Sequence, residues 1–196
     1  MAQSENDNEQ MLLRLIAGGD EKATGMLYSQ YVRYLTAVCS RYIRSDEDVK
    51  DVLQDCFIKI FSSIKSFEYR GDGSLKGWMT RIVINETLKF IKRNSRLDFV
   101  ELNNVGMDMP DEEPQMEGIP SSVIYQMIRA LPDGYRTIFN LYVIEEKSHK
   151  EIADLLNIKE STSASQLHRA KAILADKIRQ YNDERLTSKQ DERKMA

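Results

Sequence analysis

The sequence predicts an all-α fold: two small helical domains joined by an acidic flexible linker, the C-terminal one a helix-turn-helix. Three observations predict it. Apolar residues recur at i, i+3, i+4 and i+7 through most of the chain, the period of a helix with one buried face, and no segment alternates as a strand does. Residues 97–120 break that pattern; they hold Asp98, Glu101, Asp108, Asp111, Glu112, Glu113 and Glu117, no Lys or Arg, and three of the 4 prolines, Pro110, Pro114 and Pro120. Finally, Ser148 to Lys171 reads as two short helices broken by a tight turn.

Composition narrows the function. The 196 residues are 41% hydrophobic and 30% charged, with a net charge of −3, a soluble chain able to bury real cores. No apolar run approaches a membrane span and the N-terminus lacks a signal-peptide core, so a cytoplasmic protein without membrane insertion is expected. Cys39 and Cys56 fall in helical apolar patterns and suit buried thiols better than a disulfide. With 2 histidines and no Cys/His pairing, neither a metal site nor a cofactor is expected. There is no phosphate-binding glycine loop and no nucleophile beside a histidine, so no catalytic residue is assigned and the chain is not expected to be an enzyme.

In chain order, residues 1–9 are polar and expected to be disordered. Met11, Leu12, Leu15 and Ile16 make a short amphipathic helix ended by Gly18-Gly19. Asp20 caps a second helix that buries Ala23, Met26, Leu27, Tyr31, Tyr34, Leu35 and Val38. Ser45 or Asp46 caps a third, with an apolar stripe of Val49, Val52, Leu53, Cys56, Phe57, Ile60, Phe61 and Ile64. Its polar side carries Asp48, Asp51, Gln54, Asp55 and Lys59.

Residues 66–77 join that helix to a fourth, which Ser74 caps and which runs from Leu75 to about Arg93. The joining loop sets Phe67 and Tyr69 beside Arg70. Rings that stack on bases and cations that meet phosphates are what a single-strand surface needs. The fourth helix packs Trp78, Met79, Ile82, Val83 and Ile91 inward and presents Arg81, Asn85, Lys89, Lys92, Arg93 and Arg96. Cations near a helix C-terminus are favoured by its dipole, yet their density beside Asn85 and the aromatic loop favours nucleic acid.

After the linker, Val123, Ile124, Met127, Ile128 and Leu131 mark a helix, Pro132-Asp133-Gly134 a turn, and Arg136 to Val143 another helix around Ile138, Phe139 and Tyr142. Ser148 and Glu151 form a capping box. Ile152, Leu155 and Leu156 face inward, Ala153 allows a close crossing, and Asn157 tolerates the left-handed conformation of the turn. The last helix turns Leu167, Ala170, Ile173, Leu174 and Ile178 inward and Ser161, Thr162, Ser165, Gln166 and Arg169 outward. A helix-turn-helix of this kind lays its second helix in the DNA major groove. From Asp183 onward a charged, frayed tail is expected.

Taken together, the motifs resemble the extracytoplasmic-function sigma factors of bacterial RNA polymerase, over about residues 10–180. Asp51-Val52-Leu53-Gln54-Asp55-Cys56-Phe57 is similar to the D-x-x-Q-[ED]-x-F helix of that family. Ser66-Phe67 and Trp78-Met79-Thr80-Arg81-Ile82-Val83-Ile84-Asn85 are similar to its F…W-x-x-R-I-x-x-N. Leu131-Pro132, Ile152 to Ile158, and Leu167-His168-Arg169-Ala170-Lys171 follow in the family's order.

The resemblance implies a sigma region 2-like domain over 10–96, an interdomain linker over 97–120, a region 4-like domain over 121–182 and a charged tail over 183–196. It implies a promoter-specificity subunit whose partners are core RNA polymerase (β′ clamp and β flap) and promoter DNA, both duplex and single-stranded. An anti-sigma factor, which commonly holds such proteins inactive, is implied as a further partner. Asp48, Asp51, Gln54, Asp55 and Lys59 then dock on the clamp. Phe67, Tyr69, Arg70, Trp78, Arg81, Asn85, Lys89, Lys92 and Arg93 read and help melt the minus-ten element. Ser161, Thr162, Ser165, Gln166, His168, Arg169 and Lys171 read the minus-thirty-five duplex. The chain departs from the family's G-T-V-K-S-R-L recognition helix at Ala164 and Gln166, which replace common basic residues. Two rival readings remain at this level: an autonomous DNA-binding regulator, and a metal-dependent nuclease built on the acidic residues.

Overall fold

The computed structural model describes the backbone of residues 2–94 and 116–195 and the side chains of 9–94, 116–185 and 187. Among the described residues every regular element is a helix, so the all-α expectation is borne out. The chain divides into two compact units, Met1–Arg96 and Leu97–Ala196. Most of the acidic segment, 97–115, lies outside the described residues, as does Arg96.

The first unit is built from α1 (Ala2–Ala17), α2 (Glu21–Ser40), α3 (Asp46–Ser63), a 3₁₀ turn (Ile64–Ser66) and α4 (Ser74–Asn94). Helix α1 begins well before Met11, where the sequence suggested disorder. Its polar first half carries Ala2, Gln3, Glu5 and Glu9, which favour helix, and Glu9 accepts a hydrogen bond from the Tyr31 hydroxyl on α2. The helix ends at Gly18-Gly19, where Gly19 takes φ +88° and so allows Asp20 N–H to reach back to Leu15 O at 3.0 Å. Asp20 then caps α2 by accepting from Lys22 N and Ala23 N at 2.8 and 3.1 Å.

Helices α2, α3 and α4 enclose one core. Leu27, Leu35, Val38, Cys39, Cys56, Ile60, Leu75, Met79 and Val83 are essentially inaccessible within it. Both thiols are buried and free, as the pattern predicts. Burial pushes the Cys56 thiol up to about 12, which makes it a packing group with little thiolate character. Met26 corrects the sequence reading: it is 60% exposed. Ala23, Leu27, Tyr31, Leu35 and Val38 already fill the inward stripe of α2, and Met26 falls to one side of it.

The second unit holds α5 (Ser121–Arg129), α6 (Asp133–Phe139), a π turn (Asn140–Ile144), α7 (His149–Leu156) and α8 (Glu160–Met195). Its core centres on Leu131, Ala170 and Leu174, with Met127, Ile128, Tyr135, Phe139 and Ile173 packed against them. Helix α6 starts three residues before Arg136, so Asp133 and Gly134 belong to its first turn rather than to a loop. Arg136 itself is buried. Its guanidinium donates to Arg129 O and Leu131 O, both at 3.1 Å, and to Asp133 Oδ1 at 2.9 Å. It thereby satisfies carbonyls at the C-terminal end of α5, where a positive charge is favoured.

The π turn produces a second correction. Tyr142 was placed in the core from its helical spacing, but the wider turn rotates Tyr142, Val143 and Ile144 off the buried face, and all three are exposed. The charged C-terminal stretch was expected to fray. Instead α8 continues through it, and Arg185 Nη1 donates to Gly118 O at 2.6 Å. Gly118 sits at φ +74°, and a Cβ there would lie 3.0 Å from the guanidinium, so glycine is what lets this end of the linker approach the helix.

Candidate functional site

Three surfaces carry the residues singled out from the sequence. The first is the outer side of α3. Ser45 Oγ accepts from Asp48 N at 3.2 Å to start this helix, and Asp46, Glu47 and Asp48 in the first turn suit the positive end of its dipole. Asp51, Gln54, Asp55 and Lys59 are exposed and Asp48 half-buried, so this set shares one side. Its apolar neighbour leaves no mark in the residue pattern. A groove of about 800 Å³ opens between α2 and α3, lined among others by Tyr28, Val32, Leu53, Gln54, Phe57 and Ile58. Ile58 is 62% exposed, and the Tyr28 and Phe57 rings stand 4.6 Å apart. Since Ile58 follows Gln54 by four residues, the polar side and the groove share an edge.

The second surface surrounds the loop between α3 and α4. The 3₁₀ turn delivers Phe67 to the rim of a cavity of about 600 Å³, lined by Ser66, Phe67, Glu68, Arg70, Ser74, Gly77, Trp78 and Arg81. Phe67 and Trp78 form one aromatic wall. Arg70 pairs with Glu68 at 3.2 Å, both 79% exposed, a contact worth about 0–1 kcal/mol that a phosphate can displace. Arg70 N–H also donates to Ser74 Oγ at 3.2 Å, folding the loop onto the start of α4. Tyr69 does not line the cavity; it is half-buried beside Asp72, its hydroxyl 3.3 Å from Oδ1. Trp78 is neither wholly core nor free: it is half-buried, with one side on the cavity.

From Arg81 the exposed side of α4 continues through Asn85, Lys89, Lys92 and Arg93. The spacing of four, then four, then three and four puts these five on one stripe. Lys89 Nζ donates to Glu86 Oε1 at 2.8 Å, and Lys59 Nζ on α3 donates to the same oxygen at 2.7 Å. Sequence reasoning missed Glu86, because a lone acid among cations carries no pattern of its own.

The third surface is the helix-turn-helix. Ser148 Oγ accepts from Glu151 N at 3.2 Å while Ser148 N donates to Glu151 Oε2 at 2.8 Å, a complete capping box. Ser148 Oγ also donates to Glu151 Oε2 at 2.7 Å, and this bond, with the one from Ser148 N, holds the Glu151 carboxyl below its ordinary value. Asn157 takes φ 56° and ψ 53°, the left-handed turn expected of it, and Ile158 N–H returns to Ala153 O at 3.0 Å. Helix α8 then exposes Ser161, Ser165, His168 and Lys171, with Arg169 half-buried.

Thr162 and Gln166 correct the sequence reading, which turned them outward: they are 8% and 3% exposed. The inward stripe of α8 begins a turn earlier than its first large apolar residue. Ser163, fully buried, is 2.9 Å from His149 Nδ1 at the start of α7, and the His149 ring stacks on Tyr142 at 4.6 Å. Ser163, Gln166, Leu167, Ala170 and Leu174 thus form one continuous buried face. Polar residues at 162, 163 and 166 disguise it in the sequence.

The sequence model of the family described as Sigma-70 region 2 matches residues 27–97, and that of Sigma-70, region 4 matches residues 121–174. Among curated relatives, the chain is 28% identical over 187 residues to the ECF RNA polymerase sigma-E factor of Haemophilus influenzae, covering 89% of this chain and 97% of that protein. It is 27% identical over 188 residues to the ECF RNA polymerase sigma-E factor of Escherichia coli, covering 89% and 96%. Among solved structures, the sigma factor RpoE of Bartonella quintana, in complex with the anti-sigma factor NepR, aligns over 78% of this chain and 94% of its own with a TM-score of 0.45 and 19% identity.

Proposed function

The chain belongs to the sigma-70 family, in its extracytoplasmic-function group, and from that premise we propose which of its residues make the contacts of a promoter-specificity subunit. Such a subunit directs core RNA polymerase to promoters and initiates transcription there by recognising the minus-thirty-five and minus-ten elements and helping to melt the latter. We assign residues 10–96 to polymerase docking and minus-ten recognition, 97–120 to the linker, 121–182 to minus-thirty-five recognition and 183–196 to a tail.

The observation that carries the assignment is the cavity walled by Phe67 and Trp78, with Arg70 and Arg81 around it and the basic stripe of α4 leading away. A base taken out of the stack costs about a few kcal/mol, and stacking on an aromatic side chain returns roughly 1–3 kcal/mol. The cavity receives the extruded base while Asn85, Lys92 and Arg93 follow the strand, joined by Lys89 once it leaves Glu86. Tyr69 supports the loop from behind.

Polymerase docking falls to Asp48, Asp51, Gln54, Asp55 and Lys59, extended by the apolar groove at Ile58 and Tyr28. The β′ clamp is the partner assigned to that side. The exposed trio Tyr142, Val143 and Ile144 is the surface assigned to the β flap. Ser161, Ser165, His168, Arg169 and Lys171 contact the minus-thirty-five duplex; Thr162 and Gln166 shape the helix beneath them. An anti-sigma factor belongs among the partners, since the groove and the trio leave apolar surface for it to cover. No described helix is long and apolar enough to cross a membrane, and action beside cytoplasmic polymerase, without catalysis by this chain, completes the proposal.

Run-off transcription with purified core polymerase tests it. A transcript from a defined promoter only when this chain is added is the expected result; core polymerase that initiates no differently with it would sink the assignment.

A further inference from the structure

Glu86 joins two surfaces that the assignment above keeps apart. It lies on α4, its side chain 16% exposed, and its Oε1 accepts from Lys59 of α3 at 2.7 Å and from Lys89 of α4 at 2.8 Å. Lys59 belongs to the docking side and Lys89 to the basic stripe. Burial raises the Glu86 carboxyl, but the hydrogen bonds and charges of the two lysines outweigh it and hold the group below its ordinary value; Lys59 is raised in turn, chiefly by its bond to Glu86. One anion therefore serves two cations that repel each other, and the cluster carries one net positive charge rather than two.

We propose that Glu86 is a positioning residue that restrains the grip of the free chain on single strands: it turns Lys89 away from phosphate and anchors Lys59 to α4. The proposal rests on the reading of α4 as the strand-binding face. Phosphate contacts by lysine supply affinity without sequence information. A factor that holds one such cation in reserve loses little promoter discrimination and much random binding. Arg81 and Arg93 remain at the two ends of the stripe to set its position.

The test uses the free full-length chain, a mixed-sequence single-stranded oligonucleotide and a titration of salt, read by fluorescence anisotropy. Glu86→Gln releases Lys89 as one further phosphate contact. The slope of log affinity against log salt should steepen by about 0.7, which corresponds to roughly five-fold tighter binding at about 0.1 M salt. Glu86→Gln combined with Lys89→Gln should return to the wild-type slope. Because Glu86→Gln disturbs the α3–α4 contact, a second arm leaves Glu86 in place: Lys89→Gln alone should change the slope by less than half as much as Arg93→Gln does. Circular dichroism confirms that each variant is folded. An unchanged slope in folded Glu86→Gln, a gain that survives loss of Lys89, or a full-sized loss in Lys89→Gln overturns the proposal. Failure of the underlying reading is distinct: the wild-type chain then directs no promoter-specific run-off, whatever the salt slopes.

Discussion

Phe67 and Trp78 face each other across the ten residues between them, their ring centroids 5.0 Å apart and their planes at 40°. The two rings come from different places, the end of a 3₁₀ turn and the second turn of α4. The loop between them, with Gly71 and Gly73 at positive φ, is what folds one onto the other. Trp78 thus props Phe67 as well as lining the cavity.

Phe67→Ala should lose most of the stacking available to an extruded base. A cost of about 1–3 kcal/mol corresponds to roughly five-fold to 150-fold less open complex. Permanganate footprinting of thymines in the melted region measures it. Equal reactivity in variant and wild type would remove Phe67 from the melting role. Trp78→Ala should have a similar effect and a lower melting temperature besides, since Trp78 also packs.

Asp55→Lys reverses a charge on the exposed side of α3 without touching the core. Weaker holoenzyme formation with core polymerase, at an unchanged melting temperature, is the expected result in a pull-down. Ile58→Asp should act in the same direction if the apolar groove shares the interface. Retention of both variants at wild-type levels would count against docking on this side.

On α8 the structure separates two neighbours that the sequence treated alike. Arg169→Ala should weaken protection of the minus-thirty-five element in a footprint and leave stability near wild type. Gln166→Ala should do the opposite, lowering stability by about 1 kcal/mol while leaving the preferred promoter sequence unchanged. A shift of sequence preference in Gln166→Ala would restore it as a reading residue.

Ser148→Ala removes the cap of α7, at a cost of about 1 kcal/mol at neutral pH. The pH dependence has a definite sign. The Glu151 carboxyl is depressed in the folded state by its bonds to Ser148, so its contribution is present above the unfolded value of 4.5 and is lost as pH falls through the folded one. The gap in melting temperature between wild type and Ser148→Ala should therefore narrow in acid. A gap constant from neutral to acidic pH would show that the bond from Ser148 Oγ to the Glu151 carboxylate contributes nothing.

Much of this was legible in the residues, for physical reasons that also explain what was not. The helix periods of α2, α3 and α4, the Ser148–Glu151 cap and the Asn157 turn are local: each follows from side chains a few residues apart. The aromatic loop and the basic stripe were legible as composition and spacing. The cavity was not, because it depends on Phe67 and Trp78 meeting. Arg136 gave no sign of burial, since beside Asp133 it bonds Arg129 O and Leu131 O, main-chain carbonyls that no side-chain pattern encodes. Tyr142 kept helical spacing while the backbone changed to a π turn. Thr162, Ser163 and Gln166 hid a buried face because polar side chains carry no apolar stripe, and Ser163 is received by His149 of α7.

The length of α8 has a mechanical consequence. From Glu160 to Arg185 it is one unbroken rod of about 38 Å at 1.5 Å per residue. One end holds Ser161, Ser165 and His168, exposed and proposed above as duplex contacts. The other is fastened through Arg185 to Gly118, where the segment from the first unit arrives. Load on the residues just ahead of α5 therefore enters the second unit at Arg185, far along the rod from Glu160.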